Sequence, residues 1–145
     1  MNFFKSFNIS ASGMTAERLR MDIISRNIAN ASTTRTAAGT PYRRKMAVFS
    51  EVKGTFGDYL ERSLGSAVSG SGVEVDEIVE DMSPFKLQYN PGHPDADAEG
   101  YVQMPNVETV TEMINMISAT RAYEANVTAL NSAKSMALKA LDIGR

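Results

Sequence analysis

The sequence predicts a mainly α-helical protein whose long N- and C-terminal helices pair as an elongated, coiled-coil-like hairpin, with a small β and loop region between them. Three observations support this fold class. Apolar residues recur every seven positions near the N-terminus, a second heptad pattern fills the C-terminal segment, and short runs between them alternate apolar and polar residues. We expect one elongated domain with an N-terminal helical segment (1–34), a middle region (35–104) and a C-terminal helical segment (105–145).

The first helix is predicted from Phe7 to Ile28. Apolar side chains recur there at heptad spacing, and three more fill the same broad face. The heptad positions are Phe7, Met14, Met21 and Ile28, and the others are Ala11, Leu19 and Ile24. Charged residues occupy the opposite side, as in an amphipathic helix. The helix is expected to end near Asn30, where the polar stretch Ala-Ser-Thr-Thr follows.

The second helix is predicted from Asn106 to Ile143, because neither proline nor glycine interrupts this segment. Asn106 or Thr109 is expected to cap its start, with Glu112 completing a capping box, and Gly144 stands where a C-terminal cap belongs. At 1.5 Å per residue the helix spans roughly 57 Å, so the first helix can cover only part of it.

Two heptad tracks form an apolar seam along this second helix. They are Met113, Thr120, Val127, Lys134 and Leu141, and Met116, Tyr123, Leu130 and Ala137. Neighbouring subunits are expected to cover what the first helix leaves open. The predicted assembly interface comprises Phe7, Met14, Met21, Ile24, Ile28, Asn30, Met113, Met116, Tyr123, Val127 and Leu130.

The middle region predicts a small β element. Residues 44–52 and 72–79 alternate apolar and polar side chains in the manner of half-buried strands. The stretch from Gly65 to Gly72 is rich in glycine and serine and predicts a loop, and Tyr89 to Pro94 predicts a tight turn.

Composition limits the function classes. The chain has 145 residues, 43% hydrophobic and 22% charged, which excludes the membrane-embedded and low-hydrophobicity disordered classes. The N-terminal segment lacks the apolar core of a cleaved secretory signal. Charge is uneven: residues 1–50 carry eight basic and two acidic side chains, and residues 51–100 carry three basic and eleven acidic ones. This polarity fits head-to-tail packing of like subunits, and equally fits internal pairing.

No catalytic, cofactor-binding or metal-binding residue is predicted. Asp95, Asp97 and Glu99 imitate the start of a calcium-binding loop, but Asn106 occupies the position of the closing glutamate, so a solvated acidic turn is expected. The sequence has no cysteine and a single histidine, His93, which rules out the usual zinc clusters. We therefore expect no enzymatic activity and no small-molecule substrate.

Two further surfaces have an alternative interpretation. Arg43, Arg44 and Lys45 could contact phosphates, but three basic residues in a chain of pI about 5.4 make a poor nucleic-acid site, and a salt-bridging patch is favoured. The aromatic residues Phe3, Phe4 and Phe7 could lie at a membrane surface, although packing within the core or between subunits is favoured. No nucleic-acid partner is predicted.

Several strings carry a family resemblance. They are Met21-Asp-Ile-Ile-Ser-Arg-Asn-Ile-Ala-Asn-Ala-Ser-Thr-Thr34, Pro41-Tyr-Arg-Arg-Lys45, Ser83-Pro-Phe85, Tyr89-Asn-Pro-Gly-His-Pro-Asp95, Gly100-Tyr-Val-Gln-Met-Pro-Asn-Val107 and Arg121-Ala-Tyr-Glu-Ala-Asn-Val127. Together they span nearly the whole chain, which resembles the flagellar basal-body rod protein C family.

The resemblance implies a structural subunit of the proximal rod, which polymerises into the drive shaft that transmits torque and forms part of the export channel. It implies a place in the periplasm-spanning basal body after export without a cleaved signal peptide. The implied partners are copies of the chain, neighbouring rod proteins, the hook-basal body junction protein, the membrane-ring protein and the flagellar type III export apparatus. In this family the terminal helices pair toward the inner tube and become ordered on assembly.

Overall fold

The computed structural model describes residues 3–53 and 72–143, and two long helices dominate it. Helix α1 spans Phe3–Ala29 and helix α2 spans Thr109–Ile143. Their 27 and 35 residues correspond to lengths of about 40 and 52 Å at 1.5 Å per residue. Helix α1 starts four residues earlier than predicted, since no helix-breaking residue separates Phe3 from Phe7.

The two helices pack side by side and run antiparallel. Gly13 faces Asn126, the hydroxyl of Thr120 lies 3.6 Å from the Met21 sulfur, and the Asn27 amide reaches Glu112. Extrapolated along the pair, this register brings the start of α1 level with about residue 137 of α2. The pairing of two long helices is confirmed, and the last turns of α2 extend beyond the start of α1. Their supercoiling stays a prediction.

The seam between the helices keeps the predicted seven-residue period but not the predicted phase. On α2 the buried positions are Glu112, Ala119 and Ala133, one residue before the predicted track through Met113. On α1 they include Ala16, Ile23 and Ile24. Alanine occupies several of these central positions because a small side chain lets two helix backbones approach closely, while the longer side chains pack at the margins.

Gly13 lies directly against the Asn126 side chain in the seam. A Cβ placed there would lie 3.0 Å from both terminal atoms of the Asn126 side chain, which is itself held by a 3.0 Å hydrogen bond to the carbonyl of Ala122. We expect Gly13→Leu to lower the free energy of unfolding by about 1–3 kcal/mol through overpacking, despite leucine's better helix propensity. Urea unfolding followed by circular dichroism measures this.

The matched background is Asn126→Ala, which clears the space opposite Gly13. In that background Gly13→Ala should gain up to about 1 kcal/mol, because only the helix-propensity difference remains. Equal destabilisation of Gly13→Leu in both backgrounds would show that Asn126 does not set the helix separation.

Two antiparallel strand pairs fill the middle region. Strand β1 (Lys45–Glu51) pairs with β2 (Val73–Glu80), in a register that runs from Lys45 opposite Glu80 to Glu51 opposite Val73 and shifts between Val48 and Phe49. This pair packs against α1 and confirms both predicted strands. Residues 65–71 of the predicted loop lie outside the described residues, and so does the predicted helix cap at Gly144.

The second pair was not predicted from the sequence. Strand β3 (Lys86–Tyr89) pairs with β4 (Tyr101–Met104), and the rings of Tyr89 and Tyr101 meet edge to face with centroids 5.4 Å apart. The predicted turn lies between these strands. Gly100 adopts a φ of 85° there, and a Cβ would come 2.9 Å from the Tyr89 ring. Neither described helix combines the length and apolarity that a membrane crossing requires.

Candidate assembly surfaces

A buried polar cluster joins both helices to the middle region; it consists of Asn27, Tyr42, Arg44, Asn106 and Glu112. Asn27, on α1, is fully buried and uses its whole side chain. Its amide nitrogen donates to the carbonyl of Lys45 and to Glu112 Oε2, each at 2.8 Å, and its oxygen accepts from the Tyr42 hydroxyl and the Lys45 amide, each at 3.0 Å. Asn27 therefore fixes the end of α1 to the start of β1 and to α2.

Glu112 contributes the negative charge of the buried polar cluster and is 1% exposed. Its Oε1 accepts from Arg44 Nε at 2.9 Å, pairs with Arg44 Nη2 at 2.9 Å, and accepts from Asn115 at 3.2 Å. The predicted capping box is therefore wrong: the carboxylate turns into the protein, where Asn27 and Arg44 compensate its desolvation, instead of reaching back to the helix start.

Asn106 does not act as a helix cap either. Its oxygen accepts from the Arg44 amide at 2.8 Å, and its nitrogen donates to the carbonyl of Asp81 and to the Ser83 hydroxyl, each at 2.9 Å. It lies outside α2, which begins at Thr109. Asn106 instead links the starts of β1 and α2 to the turn after β2.

Two titratable groups have shifted pKa values: Asp81, at the margin of the cluster, and Tyr42, within it. Hydrogen bonds from the Ser83 amide and hydroxyl lower the pKa of Asp81, and the nearby Arg44 guanidinium acts in the same direction. Burial raises the pKa of the Tyr42 hydroxyl, against the opposing effect of Arg26. Tyr42 is thus neutral at physiological pH and donates its proton to Asn27.

The lowered pKa of Asp81 predicts an acid-sensitive contribution to stability. A carboxyl whose pKa is lower in the folded state stabilises the fold at pH values above its unfolded pKa of about 4, and loses this effect as the pH falls through the folded pKa. We expect Asp81→Asn to be less stable than the parent chain at pH 7, with the difference shrinking below about pH 4. Urea midpoints measured from pH 7 to 3 test this.

The control for this measurement is Asp76→Asn, a change at an exposed aspartate on β2. Its urea midpoint should follow that of the parent chain across the same range. A stability difference for Asp81→Asn that stays constant down to pH 3 would contradict the assigned role of its charge.

The outer face of α2 carries an exposed apolar stripe, formed by Val110, Met113, Ile114 and Ile117. These side chains are 49–62% exposed and follow the spacing i, i+3, i+4, i+7 of one helix face. The stripe lies away from the buried positions that face α1. Only Met113 of the four was predicted from the sequence, although the i, i+3, i+4, i+7 spacing is a signal that identifies all of them.

The other predicted interface residues divide by burial within the single chain. Ile24 is buried in the seam, as are Ala16 and Ile23 on the same helix. Nine are half-buried along its margins: Phe7, Met14, Met21, Ile28, Asn30, Met116, Tyr123, Val127 and Leu130. Their contact with neighbouring subunits stays a prediction, and the half-buried side chains retain surface that such contacts could use.

The acidic segment 95–99 and the basic residues 43–45 contact other groups of the same chain. Asp95 accepts from the Thr34 hydroxyl at 2.9 Å, and Asp97 accepts from the backbone amides of Glu99 and Tyr101. Within residues 3–53 and 72–143, no group of three or more potential ligands could hold a metal ion. Arg43 stacks 4.2 Å above the centroid of the Phe85 ring.

Internal ion pairs join the basic first third of the chain to its acidic middle third. They are Lys45 with Glu80, Arg44 with Asp81 and Arg35 with Asp95, at 3.5–3.6 Å. Part of the charge asymmetry is therefore satisfied within the chain. Exposed acids on β2, such as Glu74 and Glu77, remain available for other contacts.

Two family models match the two ends of the chain, and known proteins match its full length. Residues 7–35 match the family model "Flagella basal body rod protein", and residues 98–143 match "Flagellar basal body rod FlgEFG protein C-terminal". The flagellar basal-body rod protein FlgC of Bacillus subtilis (strain 168) is 49% identical, with 100% of both chains covered. That of Borreliella burgdorferi is 50% identical over 99% of this chain and 98% of the relative, and that of Escherichia coli O6:H1 is 42% identical over 100% of both.

These relatives match the chain over essentially its full length, including both segments that form the paired helices. The chain therefore belongs to the FlgC family of flagellar basal-body rod proteins and is a structural rod subunit of the flagellar basal body.

Proposed function

We propose that this subunit forms the proximal rod, polymerising into the drive shaft that transmits torque and encloses part of the export channel. The observation that carries the proposal is the exposed apolar stripe on α2. Four neighbouring apolar side chains on one helix face expose surface that burial in a polymer would remove from water. A helix partnered on one face by α1 and on another by a neighbouring subunit is a stiff element suited to torque.

The described core is small, which supports a fold that depends on assembly. Seven hydrophobic residues of the described segments are buried, three of them alanines: Ala16, Ile23, Ile24, Val102, Val107, Ala119 and Ala133. Burial of further apolar surface between subunits would add the stabilisation that this core lacks. In this proposal the two terminal segments (1–34 and 105–145) form the shaft with their predicted interface residues, and the middle region (35–104) contacts neighbours.

The partners follow from this placement. They comprise copies of the chain, adjacent rod proteins, the membrane-ring and hook-basal body junction proteins, and the type III export apparatus that delivers the subunit. The proposal includes no catalytic role. The polar groups of Asn27 and the carboxylate of Glu112 are engaged in internal hydrogen bonds, which suits a structural link between segments.

The test is electron microscopy of basal bodies from a strain with an in-frame deletion of the gene, with a swimming assay. We expect membrane rings without rod, hook or filament, and no swimming. Complementation with the intact gene is the control and should restore both. Complete flagella on swimming cells of the deletion strain would overturn the proposal.

A further inference from the structure

A groove of about 450 Å³ opens between α1, α2 and the β1–β2 pair. Its walls are mainly apolar and include Ile9, Phe49 and Val73. Gly13, which has no side chain, also lines it. Two carboxylates, Glu17 and Glu51, also line it. The groove is therefore shaped for an apolar surface that carries positive charge.

Glu17 provides the strongest indication of an external partner. Its side chain is 16% exposed, and its Oε2 is shielded from solvent yet accepts no hydrogen bond from any residue of the described segments. Arg20 Nη1 forms an ion pair with this oxygen at 3.6 Å within the same helix, but at that distance it donates no hydrogen bond. Shielding a carboxylate oxygen without a donor is costly, so a cationic donor entering the groove would be favoured.

The last turns of α2 have the complementary surface. Lys134, Leu138 and Leu141 fall on one helix face by their spacing, and all three are exposed, the two leucines at 54% and 71%. Within the described residues Lys134 forms no ion pair. The start of α1 is level with about residue 137 of α2. The last turns of α2 therefore lie next to the start of α1 or extend past it, and they remain accessible.

We propose that the groove of one subunit receives the last turns of α2 from a second copy of this chain. The Lys134 ammonium of that copy pairs with the Glu17 carboxylate, while Leu138 and Leu141 pack against Ile9 and Phe49. The contact is heterologous, with different surfaces on the two copies, so it propagates in one direction as an open polymer requires. This inference rests on the proposed polymerisation and names the surfaces that perform it.

The same contact cannot form inside one chain. Since Gly13 faces Asn126, Glu17 lies level with about Ala122, and Lys134 lies roughly 18 Å further along the helix axis. A disulfide needs Cα atoms within about 7 Å. A cross-link between positions 17 and 134 therefore reports two different copies.

Cysteine cross-linking tests the contact directly, because the chain contains no cysteine of its own. We expect the double variant E17C/K134C, expressed in place of the parent chain and oxidised in isolated basal bodies, to give bands at multiples of the chain mass. E17C and K134C alone, and E17C/K139C on another face of α2, are the controls and should give none. Intact rods without a cross-link would overturn this inference and leave the rod assignment standing.

A charge exchange supplies the second test if the cysteine variants do not assemble. We expect Glu17→Lys and Lys134→Glu each to lower the number of rods per cell at least about fivefold, and the combined exchange to return it to within about twofold of the parent. Lys139→Glu is the control and should leave the number unchanged. No recovery in the exchanged pair, or unimpaired rods in both single variants, would overturn the contact.

Discussion

Replacing Glu112 by alanine is expected to abolish rod formation. The change removes the acceptor of the Asn27 amide and of two Arg44 nitrogens, and it leaves a guanidinium at the margin of the core without its closest partner. Breaking a buried ion pair by removing one member costs about 3–5 kcal/mol, which is a large share of the stability of a typical domain. Rod counts by electron microscopy, swimming assays and immunoblots of subunit level measure the effect.

Two variants on the same helix make this prediction specific. Glu112→Gln keeps an oxygen acceptor for Asn27 and loses the charge facing Arg44, so it should retain an intermediate rod count. Glu124→Ala removes an exposed carboxylate from α2 and should behave as the parent chain. Normal rods and subunit levels in Glu112→Ala would show that the buried polar cluster does not hold the subunit together.

Placing a charge in the apolar stripe is expected to block assembly while leaving the subunit folded. Ile114 is 62% exposed in the single chain, so Ile114→Asp costs little there, but in the polymer it would bury a carboxylate without a partner. A loss of about 2 kcal/mol or more at each contact lowers association more than tenfold. We expect non-swimming cells that contain the subunit at normal level and lack rods.

Ser118→Asp is the matched control for the stripe. Ser118 is exposed on the same helix, about a quarter turn from the centre of the stripe, and receives the same charge. It should support normal swimming. If both variants assemble rods equally well, the stripe faces solvent in the rod and the interface lies elsewhere on α2.

Periodicity predicted the elements well and the contacts between them less well. The two helices and the β1–β2 pair were predicted because apolar residues recur there with periods of about seven and two. The phase of the α2 seam was missed because Met113 and Val127 are more hydrophobic than Ala119 and Ala133. Close approach of two backbones favours the smaller side chains at the centre.

The buried polar cluster could not be predicted from local sequence. Asn27 and Glu112 resemble surface residues in their own helices, and each is buried only because the other, with Arg44 and the Lys45 backbone, supplies hydrogen-bond partners. Strands β3 and β4 were missed for a related reason. Each has four residues, too few for alternation to distinguish a strand from a turn.

The bond between Asn27 and Glu112 also sets the timing of folding. It joins residues 85 positions apart, so α1 cannot acquire its buried partner until most of the chain is available in the same compartment. Contacts of such long sequence separation form late and slowly compared with local helix formation. In the proposed delivery through the export apparatus, we therefore expect α1 to pack against α2 only after the chain has emerged beyond Glu112.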